Sequence, residues 1–150
     1  MQIQELTAAE CVDVLNRNEL GRLACARFDQ PYVVPIFFSH DAQRSSLYAL
    51  SMVGQKVQWM RENPKVCLEV EDIKDKTHWT TILVFGRYQE LERTPAHKEA
   101  RARAEHAFLQ RHESWLPAAA HVPSRQHEHM VVYSILIDQL TGRRASRDQG

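Results

Sequence analysis

Apolar and polar positions along this chain change their period several times, and each change marks an element. Leu6 precedes Thr7-Ala-Ala-Glu10, the spacing of a helix capping box, with Leu6 and Cys11 placed as its hydrophobic staple. Cys11, Val14 and Leu15 then fall on one face of a short helix, and Gly21 ends the connection that follows. From Arg22 the period drops to two: Leu23, Cys25 and then Ala26 or Phe28 alternate with more polar neighbours. Asp29-Gln30-Pro31 predicts a turn. The stretch YVVPIFFSH, rich in β-branched and aromatic residues, predicts a strand. Pro35 inside it cannot donate to a ladder, so it marks an edge, a bulge or an interruption facing a ligand.

Asp41 to Ser46 is a second polar turn, and LYALS a third strand. A helix over 54–62 sets Val57 and Met60 on one face until Asn63-Pro64 stops it. In VCLEVED, Val66, Leu68 and Val70 alternate with Cys67, Glu69 and Glu71, a fourth strand. Lys74 to His78 predicts a charged loop, and Trp79 to Leu91 a long fifth strand with Gly86 at a bulge or close approach. Thr94-Pro95 reads as an N-cap with proline at the first helical position, opening the helix AHKEARARAEHAFLQRH. Leu116 to Gln126 is irregular, and His129 to Ile137 is the last strand. The polar TGRRASRDQG tail should fray, with 144–150 flexible. Six strands, two short helices and a longer late one predict a mainly β fold with flanking helices, a six-stranded antiparallel barrel. One domain spans 1–150.

Composition narrows the function classes. Apolar residues are 43% of the chain, enough for one core, and 19 basic residues balance 19 acidic ones. That balance argues against a nucleic-acid or acidic-lipid partner. No apolar run reaches the ~20 residues of a membrane span, and the N-terminus lacks a secretory pattern. Cys11, Cys25 and Cys67 have no paired spacing and read as small core residues in a reducing compartment, so a cytoplasmic location is expected.

The chemistry concentrates between Leu47 and Asp72. Ser51, Gly54, Gln55 and Lys56 stand at the mouth of the predicted helix. A hydroxyl, a glycine, an amide and a cation there, beside free backbone N–H groups and the positive end of the dipole, can hold a phosphate. The spacing is not that of a Walker loop, so Lys56 reads equally as a solvated lysine, Ser51 as a cap and Gly54 as a turn residue. Tyr32 and Tyr48 read as structural. Eight histidines raise a metal site, with His127 and His129 on one strand face. His106 and His112 are too far apart for a helical zinc pair, and no cluster completes four ligands, so no metal is expected. No nucleophile-and-base arrangement can be argued.

The order of elements resembles the pyridoxamine 5′-phosphate oxidase-like FMN-binding split β-barrel family, in particular its nitroimidazole-resistance-like branch. The resemblance covers roughly residues 5–142. It rests on Leu20-Gly21-Arg22-Leu23-Ala24, Pro31 to Ile36, Leu47-Tyr48 through Gly54-x-Lys56, Asn63-Pro64-x-Val66-Cys67, Trp79-Thr80-Thr81 through Gly86-Arg87, and Thr141-Gly142-Arg143 after the last strand. It implies FMN at the interface of a homodimer. Lys56 would pair with the phosphate, surrounded by Ser51, Gly54 and Gln55. Val34, Pro35 and Ile36 would run along the ring through backbone groups, with Leu50 beside the cofactor. Trp79, Thr80 and Thr81 match a strand lining the site, from the second subunit if not the same one.

Leu50 stands where nitroimidazole-resistance proteins often carry a histidine, so imidazole chemistry does not carry over to it. The basic residues with which the true oxidase holds pyridoxamine phosphate also have no clear match. The implied activity is electron transfer through the flavin between a donor such as a reduced nicotinamide and a small-molecule acceptor, with the catalytic residues unknown. A non-catalytic flavin-binding, storage or sensor module is the alternative. A site degenerated towards haem or another planar ligand is a third. Physical bulk supports the dimer: Trp59, Trp79, Phe37, Phe38 and Phe85 exceed what one small barrel readily hides.

Overall fold

A computed structural model describes residues 1–111 and 130–147. In chain order the elements are β1 (Gln2–Glu5), α1 (Ala8–Arg17), β2 (Leu20–Arg27), β3 (Gln30–Phe37), β4 (Ser39–Asp41), β5 (Ser46–Met52), α2 (Gln55–Glu62), β6 (Lys65–Asp75), β7 (His78–Glu90), α3 (Lys98–Arg111) and β8 (Met130–Ser146). The strands form one antiparallel sheet in the order β3-β2-β6-β7-β8-β5-β4, with β1 added to β8. The sheet curls until β3 and β5 approach each other, yet no ladder joins them. The barrel is therefore split along that seam.

The alternation in the sequence sorts side chains between inside and outside. Leu23, Leu68, Val70, Ile82, Val84 and Tyr133 are among the fully buried residues inside, and α1 adds Cys11, Val14 and Leu15. The capping box forms as expected: Thr7 Oγ1 accepts from Glu10 N–H at 3.2 Å, and Glu10 Oε1 accepts from Thr7 N–H at 3.1 Å. Cys11 and Cys25 are buried and Cys67 half-buried, all three as free thiols. Among the described residues no helix is long and apolar enough to cross a membrane.

Several elements differ from the sequence reading. The described residues form eight strands rather than six, because β1 and β4 are too short and polar to show a period. The β2–β3 turn is tightened to Phe28-Asp29, where both residues take positive φ (48° and 60°) as a two-residue hairpin demands. The expected loop from Lys74 is mostly strand, leaving Lys76-Thr77 at the hairpin tip, where Asp75 accepts from Thr77 N–H. Thr94 is an N-cap followed by Pro95 as read, but of a 3-10 turn at Pro95–His97 that precedes α3, and its side chain makes no capping bond. The largest correction is the C-terminal stretch. Thr141 to Ser146, expected to fray, is held in the sheet: Thr141 to Ala145 pair with β7, and Arg143 to Ser146 pair with β1 on the other side. These ladders, doubled over Arg143 to Ala145, satisfy its backbone, and Arg144 reaches Glu10 at 2.9 Å, so polar side chains impose no fraying. The expectations for residues 116–126, for His112, and for His127 and His129 lie outside the described residues.

Gly86 fulfils both of its expected roles. The β7–β8 register slips between Phe85 and Gly86, and a Cβ on Gly86 would lie 2.5 Å from the Leu136 carbonyl oxygen. Only glycine lets the two strands come that close.

Candidate functional site

The split seam and the mouth of α2 lie together. β5 ends at Met52, a bend at Val53-Gly54 turns the chain, and α2 starts at Gln55. Gly54 is the N-cap, in extended backbone and without a capping side chain, so the first-turn amides have no side-chain acceptor. A Cβ on Gly54 would meet nothing within 4 Å, so the space over the helix mouth is open.

Packing on both sides and a cap at its end hold α2, together with the Arg61–Glu90 ion pair at 2.7 Å. Val57 and Met60 are fully buried against the barrel. Trp59 packs on Tyr32 of β3 at 5.5 Å between ring centroids, with the Arg27 guanidinium 5.1 Å from the Trp59 ring. Asn63 closes the helix and donates its amide to the Ala26 carbonyl.

Lys56 is the cation of this site. It is half-buried, and no carboxylate or other hydrogen-bond partner engages it among the described residues. Burial pulls its amine below the ordinary lysine range, opposed only by the nearby Cys25 thiol. A partly desolvated, uncompensated cation beside uncapped amides suits an anion.

Ser51 stands two residues before the bend, inside β5 rather than at the cap. It is buried, and its hydroxyl donates to the Met52 carbonyl at 2.8 Å. Gln55 is exposed at the first helical position. Leu50 is half-buried on β5 beside the core. Across the seam, Val34 is half-buried, Ile36 buried and Pro35 exposed on β3. Because β3 pairs only with β2, Pro35 sits on an edge strand, as its missing N–H requires. Lys56, Gly54, Ser51 and Leu50 thus gather around the β5–α2 bend, and the 34–36 stretch lies on β3, the strand that approaches β5 across the seam.

Trp79, Thr80 and Thr81 do not join them within one chain. Leu50 pairs with Val132 near the start of β8, whereas Trp79 pairs with Ala145 near its end. That separation is roughly 40 Å of strand. Thr80 is buried, while Trp79 and Thr81 line an open concavity of about 580 Å³ together with Leu83 and Arg143. Arg22, Glu69, Glu71 and Arg143 form a charged group on this outer side that the sequence reading did not single out. The alternating carboxylates of VCLEVED hinted at an outward acidic pair, but nothing local links them to an arginine some seventy residues later.

An open antiparallel barrel with a helix mouth at its seam defines a split β-barrel protein. The family profile for pyridoxamine 5′-phosphate oxidase matches residues 7–144, and the chain belongs to that family. An uncharacterized protein of Rhizobium meliloti is 36% identical over 149 residues, 97% of each chain. A crystal structure of an FAD-binding protein from Mesorhizobium loti is 40% identical, with a TM-score of 0.79 over 97% of this chain and 100% of the other. The fold is also that of a 5-nitroimidazole antibiotic resistance protein of Bacteroides thetaiotaomicron, at 15% identity and a TM-score of 0.68 over 98% and 93% of the two chains.

Proposed function

We propose that this chain binds FMN at the seam between β3 and β5, with the phosphate at the mouth of α2, and that two copies form the working unit of a flavin-dependent oxidoreductase. The observation that carries the reading is Lys56, a half-buried cation without a counter-ion, beside an uncapped helix start and open space at Gly54. Lys56 would balance the phosphate charge and the first-turn amides would donate to it. The edge backbone of Val34, Pro35 and Ile36, with Leu50 opposite, would form the slot for the ring. Ser51 would brace the bend through its bond to Met52. Trp79, Thr80 and Thr81 would serve the site of the second copy, being at the far end of β8 from their own Lys56.

A bound flavin would supply the electron transfer between a small-molecule donor and acceptor, and the protein's part is to bind, orient and shield it. A similar protein at 40% identity is described as FAD-binding, which makes FAD the competing cofactor; both flavins share the ring and the first phosphate. Free thiols, buried at Cys11 and Cys25 and half-buried at Cys67, suit a reducing, cytoplasmic setting. Leu50, with no imidazole at that position, favours a second reading: a flavin-binding module without turnover of its own.

The test is the visible spectrum of the purified protein before and after adding FMN and desalting, with mass spectrometry of any released cofactor. Retained flavin near one per subunit supports the reading, and the mass separates FMN from FAD. Lys56→Ala should weaken FMN binding roughly tenfold to a hundredfold, about 1.5–3 kcal/mol. Unchanged affinity removes Lys56 from the site. A protein that holds no flavin overturns the proposal, and a Soret band transfers it to haem. Oxidation of a reduced nicotinamide above the free-FMN control separates the enzyme from the binder.

A further inference from the structure

The tip of the β2–β3 hairpin is costly in two ways. Phe28 is 90% exposed, the most open of the large apolar side chains among the described residues. It also takes a φ of 48°, in the left-handed region where a bulky side chain is strained and where Gly or Asn would fit. Strain and exposure at one aromatic residue point to a contact that its ring makes.

Phe28 is the outer end of a row of flat groups. Tyr32 of β3 packs on Trp59 of α2, the Arg27 guanidinium lies 5.1 Å from the Trp59 ring, and the same guanidinium lies 5.5 Å from the Phe28 ring. The ion pair of Arg27 with Glu62 is long, at 3.6 Å, and more than half of the Glu62 side chain is exposed. That pairing leaves guanidinium donors for a further anion. The row continues the flavin site in order along β3. Val34 to Ile36, the slot for the ring, lie farthest from the tip. Tyr32 follows, in register with Cys25, whose thiol is near Lys56. The tip comes last. From Cys25 to Phe28 the strand covers roughly 10 Å, a span that one more phosphate, a ribose and a purine can bridge.

We propose that the flavin site has a second subsite here, for the adenylyl half of FAD: Arg27 pairs with the second phosphate and the Phe28 ring stacks on the adenine. The chemistry along β3 follows the order of groups along that molecule, from ring slot to first cation, second cation and aromatic platform. A base offers its π-face to an aromatic ring, and a guanidinium beside that ring adds the charge that a phosphate needs. FMN ends at the first phosphate and leaves both residues unused. A polypeptide partner would account for Phe28 alone, but not for a cation beside it in line with Lys56. The inference rests on the flavin-site reading above and ranks its two cofactors, FAD binding the more tightly.

Calorimetric titration of the full chain, freed of bound flavin, with FMN and with FAD tests it, on the wild type, Phe28→Asn, Phe28→Tyr and Arg27→Gln. The wild type should bind FAD at least about tenfold more tightly than FMN. Phe28→Asn should bring FAD down to the FMN level and leave FMN unchanged. Its Tm without flavin should not fall, because Asn accepts the left-handed turn. Phe28→Tyr should keep the preference, and Arg27→Gln should weaken FAD more than FMN. Equal affinity of the wild type for the two flavins overturns the subsite and leaves the flavin reading intact. So does a Phe28→Asn variant that lowers both affinities equally or neither. If that variant instead weakens self-association in sedimentation equilibrium, with both affinities unchanged, the ring belongs to a subunit contact and the subsite falls. A chain that holds neither flavin overturns the flavin reading and the subsite with it.

Discussion

The two faces of β6 and β7 are made of the same strands, yet they have different tasks. Inward, Val66, Leu68, Val70, Ile82 and Val84 are 0–6% exposed and entirely aliphatic. Outward, the same strands present Glu69, Glu71, Ile73, Thr81, Leu83 and Phe85, a mixture of acids and exposed apolar groups. The inner face is closed and finished within one chain. The outer face keeps an unpaired carboxylate oxygen at Glu69 and uncovered apolar area at Ile73, Leu83 and Phe85. Alternation with a period of two keeps the two tasks apart, because a substitution on one face leaves the other's packing in place.

That contrast can be broken by measurement. Leu68→Ala, inside, should cost about 2–5 kcal/mol of unfolding free energy at any protein concentration, because it opens a cavity in a closed core. Gly86→Ala, also on the inner side, should cost about 1–3 kcal/mol, because its Cβ meets the fixed Leu136 carbonyl as well as the Ile135 side chain. Leu83→Ala, outside, should cost within about 0.5 kcal/mol in dilute solution. Chemical denaturation distinguishes the three. A Leu83 effect as large as that of Leu68 in dilute solution would erase the distinction between the faces.

The smallest effect sharpens the comparison through pH. The Glu69 carboxyl is raised in the folded chain, so its contribution to stability is full below the unfolded carboxylate value and is lost as pH rises through the folded one. Glu69→Gln should therefore stabilise the dilute, monomeric chain slightly at neutral pH, with the gain vanishing in acid. A gain independent of pH would mean that the carboxyl does not titrate as its surroundings require.

Most of the local structure was legible in the chain. The Thr7–Glu10 box, the Asn63-Pro64 stop, the alternation in VCLEVED and the glycine at 86 each act over a few residues, and each forms as read. The mouth of α2 was legible for the same reason, since Gly54, Gln55 and Lys56 are consecutive. Ser51 was not, because whether a hydroxyl caps a helix or braces a strand depends on where the bend falls.

The sequence by itself determined which segments alternate, which coil and where each stops, because those preferences reside in backbone sterics and nearest neighbours. Only the tertiary structure decided which strands meet. It drew Thr141 to Ser146 into the sheet, set β1 against β8, and put Trp79 at the opposite end of β8 from Leu50. It also set Arg143 on the face that carries Glu69. Ladder partners far apart in the chain are chosen by the closure of the whole barrel, and no local period records that choice.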